Sequence, residues 1–329
     1  MTFRPILIVA IGLLLQACGA RAEPEGAVNG PIQIESVAIR LNETDPSVTS
    51  VGHFAYAGGV ALSSPGSGHF GGLSDLSLTP GGTITAVTDG GDLLTGHLVL
   101  DHGRLAGIDQ ARLQTLTGLD GQPLASKRQG DAEGIVRWPN GDQMVSFERD
   151  HRIWLYPAAG GPPKAMPNPE MAMEDNNGME GLSLAAAQGP DAYWVGVEPG
   201  TVWLCHLKSV CVEHSNLPKP PKPPAGYRLS ALREAPNGDL LLLFHNWNAT
   251  LKISSIALEI VRNPASAHPR IVDELKLTPP LNVDNFEGIE AKARKGGGLR
   301  LYLLTDDNFS KTQRNLFMAF DWTPAGLKP

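Results

Sequence analysis

The chain has 329 residues, a formal net charge of −7, 19% charged residues, 37 glycines and 27 prolines. The acidic balance argues against a nucleic-acid partner, which needs a basic face. Turn residues this frequent, with apolar strand signals filling the spaces between them, suit an all-β domain better than a disordered chain.

Residues 1–18 read as a targeting segment and not as part of the fold. Arg4 supplies the positive charge, and Ile6–Leu15 is apolar but too short to span a membrane. Leu15-Gln16-Ala17-Cys18 resembles a bacterial lipobox, which implies lipidation at Cys18 and a membrane-anchored envelope protein; an ordinary secretory signal with a chance cysteine is the alternative. Gly19 after the cysteine, rather than Asp, favours the outer membrane, facing the periplasm. Residues 19–31 read as a flexible tether and 32–329 as one domain. Two apolar runs, Ile32 to Leu41 and Phe54 to Leu62, open that domain.

A short cassette then recurs along the chain. Its copies are Leu73-Ser74-Asp75-Leu76, Ala132-Glu133-Gly134-Ile135, Met179-Glu180-Gly181-Leu182, Leu229-Ser230-Ala231-Leu232 and Phe286-Glu287-Gly288-Ile289. Successive lead residues lie 47 to 59 positions apart, the period of a propeller or solenoid. After each cassette comes a turn such as Pro139-Asn140-Gly141-Asp142, then a strand ending on a polar residue: Asp89, Glu148, Glu198, His245 or Asp306. Asn-Gly between apolar runs is a hairpin signal. Third strands follow, such as Arg152–Tyr156. Radially repeated antiparallel sheets of three or four strands make a β-propeller. Five cassettes require at least five blades; the runs within 32–64 either close the last blade or form a further one, and the count leans to six.

In a propeller, equivalent residues of successive blades ring the axis. Glu133, Glu180 and Glu287 would then repel one another unless protonated or bridged by a cation. With Glu198, Asp89, Asp306 and Asp307 they offer the oxygens that a hard cation such as Ca²⁺ takes. The other reading makes the cassette glutamates latches that accept N–H bonds from the next blade. Ser74 and Ser230 make the ring unequal. Cations lie nearby in sequence: Arg149 and His151 follow Glu148, while Arg128 and Arg314 are candidate oxyanion contacts or solvated surface charges. His245 is a candidate base or metal ligand, or a histidine bonded to a neighbouring blade. Cys205 and Cys211 flank a short hairpin and are expected to form a disulfide in an oxidising compartment, the alternative being a reduced pair. No serine-hydrolase elbow, phosphate-binding loop, dinucleotide fingerprint or zinc spacing is present.

Phe70-Gly71-Gly72-Leu73-Ser74, Gly130-Asp131-Ala132-Glu133-Gly134, Ser146 to Trp154 and Leu301 to Phe309 resemble the bacterial "esterase-like activity of phytase" family, from about Val51 to Trp322. The resemblance implies a phytase-like β-propeller with acidic functional residues. Asp75 departs from it, standing where the cassette usually has glycine. The expectation is a monomeric, Ca²⁺-assisted hydrolase of a phosphate ester or related small-molecule ester. Glu133, Glu180 and Glu287 would hold the metal, Glu148 or His245 would act as base, and Arg149 would clamp the oxyanion. The rival readings are a non-catalytic scaffold propeller and a lactonase-like metal-dependent hydrolase.

Overall fold

The computed structural model describes residues 26–217 and 226–325. The targeting segment with Cys18, and the proline-rich run at 218–225, lie outside them. Three four-stranded antiparallel sheets and one eleven-stranded sheet follow one another around an axis; the large sheet holds two four-stranded antiparallel units, joined by a single parallel bridge between Gly58 and Leu105, and three short strands at its edges, so five blade-like units are described. Their inner strands are Leu73–Leu78, Ala132–Arg137, Gly181–Leu184, Arg228–Glu234 and Asn285–Ala293, in blades 1 to 5.

Blades 1 to 4 are each built from consecutive strands. Blade 5 is not: its outermost strand, Phe54–Ser63, comes from the start of the domain and pairs antiparallel with Asn315–Trp322, Val60 facing Phe317. The second apolar run of the sequence therefore completes the last blade. Part of the first, Glu35–Ala38, adds to the outer edge of that strand. The expected sixth blade is absent among the described residues, because both runs are consumed in closing the fifth. The last residues of the segment read from sequence as a tether are in a strand. Asn29–Pro31 pairs with the outer strand of blade 1, Asn29 facing Gln114.

The core is divided in the same way as the sheets. Five clusters of buried apolar side chains fill the five spaces between neighbouring blades. Leu301 and Leu303 of blade 5 pack against Leu241 and Leu243 of blade 4, while Tyr302 and Leu304 pack against Leu76 and Ala86 of blade 1. A strand covered on both faces must be apolar at every position rather than at alternate ones. That is why Leu240-Leu241-Leu242-Leu243-Phe244 is an unbroken apolar run, each residue at most 1% exposed. The Cys205–Cys211 disulfide is present, joining the two outer strands of blade 3 with their Cα atoms 4.1 Å apart.

Candidate functional site at the propeller mouth

The lead residues face the axis because the ladder is broken where they sit. Pairing steps from Ala132–Phe147 to Gly134–Ser146, from Leu229–Phe244 to Ala231–Leu243, and from Phe286–Thr305 to Gly288–Leu304. Glu133, Ser230 and Glu287 are thus the extra residues of β-bulges, as Ser74 is in blade 1. In blade 3 the regular ladder begins at Gly181, one residue past Glu180. A bulge kinks its strand and redirects the side chain it frees.

The glycine that follows has a separate cause. A Cβ on Gly134 would stand 2.8 Å from the Cβ of Leu182, one on Gly181 would stand 2.7 Å from the Leu232 nitrogen, and one on Gly288 would stand 3.1 Å from the Asp75 Cα. The glutamate is aimed by the bulge, and the glycine lets the next blade approach.

The strands present these residues to a cavity of about 490 Å³ at one end of the axis. Acids dominate its wall: Asp89, Asp131, Glu133, Glu148, Glu180, Glu198, Glu287 and Asp306 all line it. Two triads converge there. Carboxylate oxygens of Asp131, Glu133 and Glu148 lie within 4.8 Å of one another, as do those of Glu148, Glu180 and Glu198. Three cations answer them. Lys127 Nζ lies 2.6 Å from Asp89 Oδ2 and 2.8 Å from Asp131 Oδ1, and Arg149 Nε bonds the other Asp131 oxygen. Arg228 Nη1 lies 2.7 Å from Glu198 Oε1.

The triads differ in how well they are compensated. Asp131 is satisfied by Lys127 and Arg149. In the second triad, Glu148 Oε1 accepts the Gly178 N–H at 3.0 Å, but the buried Glu198 Oε2 has no hydrogen-bond partner. Glu133 is only 8% exposed and sits among carboxylates. Burial, and then Asp131 and Glu287, push its carboxyl far above the usual carboxylate range. Burial does the same to Glu180, with Glu133 and Glu148 adding to it. Burial also raises Asp306 strongly, Glu287 to about 8 and Glu148 to about 7. Although burial opposes it, Asp89 and Asp131 hold the Lys127 ammonium above its ordinary value. His245 is pushed down to about 4 by burial, so it is neutral at pH 7.

An all-oxygen donor set with surplus negative charge and an orphaned buried oxygen fits a hard divalent cation. Glu148, Glu180 and Glu198 are the residues that could hold it. Glu287, one of the three expected primary ligands, lies outside both triads and accepts an N–H from Asn285 at 2.5 Å.

Several residues chosen from sequence lie elsewhere. Arg128 points out to Asp175 and is 59% exposed; its neighbour Lys127 enters the cavity instead, because the single helical turn Lys127–Gly130 puts Lys127 on the side of Asp131. Arg314 binds Asp284 and Asn282 and lines a different depression. His151 stands behind the wall, with Nε2 2.9 Å from the Glu174 carbonyl. Asp307 is a latch: its Oδ1 accepts the Gly72 N–H at 2.9 Å, tying blade 5 to blade 1.

Asp75 does not join the site. Its carboxylate pairs with Arg233 on the axis, deeper than the acid ring, where Arg233 also donates to the carbonyls of Leu76, Ile135 and Ile289. Asp131, Lys127 and Arg228 were missed. The signal for Asp131 was its place in Gly130-Asp131-Ala132-Glu133-Gly134, two residues before Glu133; in the fold its carbonyl accepts the Glu148 N–H.

A bulge-aimed ring of acids at the mouth of a β-propeller defines the class. Residues 68–309 match the phytase-like family described as "esterase-like activity of phytase", and the chain belongs to that family. No curated protein matches the chain. Among solved structures it is similar to virginiamycin B lyase from Staphylococcus aureus bound to quinupristin, at 10% identity and TM-score 0.43 over 88% of this chain and 100% of that one. It is also similar to the RRP9 WD40 repeats, at 9% identity and TM-score 0.44 over 88% of this chain and 100% of that one.

Proposed function

We propose that the mouth is the active site of a hydrolase acting on a phosphate ester or related small-molecule ester, assisted by a divalent cation, most simply Ca²⁺. The observation that carries this reading is the second triad, Glu148, Glu180 and Glu198, where the Arg228 guanidinium and the Gly178 N–H still leave the buried Glu198 Oε2 without a hydrogen-bond partner. These three carboxylates would hold the cation. When bound, it would supply charge stabilisation to the substrate's oxygens and lower the pKa of a water.

The protein's own groups divide the remaining work. Lys127 and Arg149 bring positive charge into the same wall through Asp131, and Arg228 does so at the rim. They would orient an anionic ester and stabilise charge developing on it. Glu133 faces the cavity outside the cation's three ligands and would accept a proton from an attacking water; burial among carboxylates raises its pKa, so the role needs the charge of the bound cation to return it to the ionised form. His245, with a pKa of about 4, is too weak a base for that role.

The latch reading of the acids is carried by other residues, namely Asp75, Asp307 and Glu290, whose Oε2 accepts the Leu78 N–H at 3.0 Å. The segment ending at Cys18 supports an exported, lipid-anchored protein of the bacterial outer membrane facing the periplasm, and the disulfide is compatible with that compartment. The domain would act as a monomer on a tether beginning at Gly19.

The test is an assay of the purified protein on p-nitrophenyl phosphate and phytate, after EDTA treatment and after Ca²⁺ is restored. Cation-dependent turnover that is lost in Glu198→Gln supports the reading. Absence of turnover on a broad ester panel, together with no bound metal, would overturn it.

A further inference from the structure

Most side chains in the wall of the mouth are charged or polar, and one large exposed aromatic stands among them. Trp247 lines the cavity and is 53% exposed. Trp138, Trp154, Trp194 and Trp322 are each at most 9% exposed.

Its position follows from the length of one hairpin. The second strand of blade 4, Leu240–Asn248, has 9 residues, against 6, 5, 6 and 8 in blades 1, 2, 3 and 5, and in blade 4 three of them lie past the polar strand-end residue, whereas Leu299–Asp306 of blade 5 stops at its own. The extra residues continue past His245, carrying Trp247 beyond the polar ring. Residues two apart on a strand face the same way, so Trp247 stands one step outward from His245, and both line the cavity. Arg228 pairs with His245 across the ladder. Its guanidinium, 61% exposed and bonded to Glu198, is another part of the rim.

An indole left half in water beside a charged cavity has a large apolar face to cover, and flat rings cover it best by stacking. Leu229 and Phe309 also line the mouth but are buried, so among the described residues Trp247 is the large apolar surface that a ligand can reach. We propose that Trp247 is a stacking subsite for the part of the substrate beyond its anionic group. The substrate class is then an anionic ester whose alcohol portion presents a flat ring face, in preference to a small aliphatic alcohol. This rests on the reading of the mouth as an anionic-ester site.

Phenylphosphonate and methylphosphonate share an anion, differ in the ring and are not hydrolysed, so they separate the two ideas. Their affinities for the Ca²⁺-loaded protein are measured by calorimetry, with tryptophan fluorescence as a second readout. The ring should tighten binding about tenfold, the order of one aromatic contact, and phenylphosphonate alone should quench fluorescence. In Trp247→Ala the two affinities should come within about twofold of each other, while Trp247→Tyr keeps most of the preference. A wild-type protein that binds both equally, or a preference that survives Trp247→Ala with an unchanged melting temperature, overturns the stacking subsite alone. If neither phosphonate binds, the anionic-ester reading falls and the subsite falls with it.

Discussion

Asp75 and Arg233, 158 residues apart in the chain, meet as a buried ion pair on the propeller axis, Oδ2 to Nη2 3.0 Å. Asp75 also accepts the Ile135 N–H at 3.0 Å, so the pair ties blades 1, 2 and 4 directly, while Arg233 Nε reaches blade 5 at the Ile289 carbonyl. Burial pushes Asp75 up to about 7 despite the guanidinium beside it. The pair separates the acid cavity from a second depression at the far end of the axis, which Arg233 and Glu290 help to line.

Removing one member leaves the other buried without its partner. Arg233→Met should therefore cost about 3–5 kcal/mol in denaturant unfolding. The double variant with Asp75→Asn should recover part of that loss, because it removes the stranded charge as well. Equal losses in the single and double variants would show that Arg233 acts through packing alone.

The raised carboxyls give the metal-free protein a definite pH dependence. Glu148 and Glu287, at about 7 and about 8 in the fold against 4.5 for an ordinary glutamate, hold protons that the unfolded chain has released. Their contribution is fully present below about pH 4.5 and is lost as pH rises through about 8. Melting temperature in EDTA should fall across that window. Saturating Ca²⁺ should flatten the fall, adding about 2.7 kcal/mol at a hundredfold excess over its Kd.

Lys127 and Arg128 are adjacent in sequence and opposite in placement. Lys127→Met should lower kcat/KM on an active ester by about tenfold or more, the scale of one lost charge-stabilising contact. Arg128→Ala should change it less than twofold, as for an exposed ion pair of about 0–1 kcal/mol. The reverse order of effects would place the substrate outside the cavity described here.

Glu133→Gln tests the proton acceptor separately from the cation. Turnover should drop by about 10²–10⁴, while calorimetry still records one cation bound through Glu148, Glu180 and Glu198. Loss of the cation together with the activity would make Glu133 a ligand instead.

Cys205 and Cys211 are 6 residues apart, so the loop they close is small and the chain-entropy gain is about 2 kcal/mol. A Cys205→Ser/Cys211→Ser protein should fold and melt at a lower temperature. The folded protein in mild reductant should move towards that value.

Much of this was legible in the sequence, because the propeller repeats its local chemistry. The cassettes, the Asn-Gly turns and the acids at strand ends are short-range signals, and each marks a real hairpin. Two things were not legible. The blade count depends on where the N-terminal runs dock, and Phe54–Ser63 reads the same whether it closes a blade or starts one. The aim of neighbouring side chains depends on turns too short to leave a periodic pattern, which is why Arg128 was chosen over Lys127, and why Asp75 gave no hint of a partner in blade 4.

A strand from the start of the domain finishes its last blade, with Leu62 paired to Asn315 and Phe54 to Trp322. Hairpins within blades can form as soon as their own strands exist, but the circle stays open until this distant pairing is made, and long-range pairings of this kind are slow. The side of the mouth where Asp89 of blade 1 meets Glu287 and Asp306 of blade 5 would therefore be the last part of it to mature. Glu148, Glu180 and Glu198 come from the consecutive blades 2 and 3, so cation affinity during refolding should appear before the slowest kinetic phase, and the ion would report the pairing of those two blades ahead of ring closure.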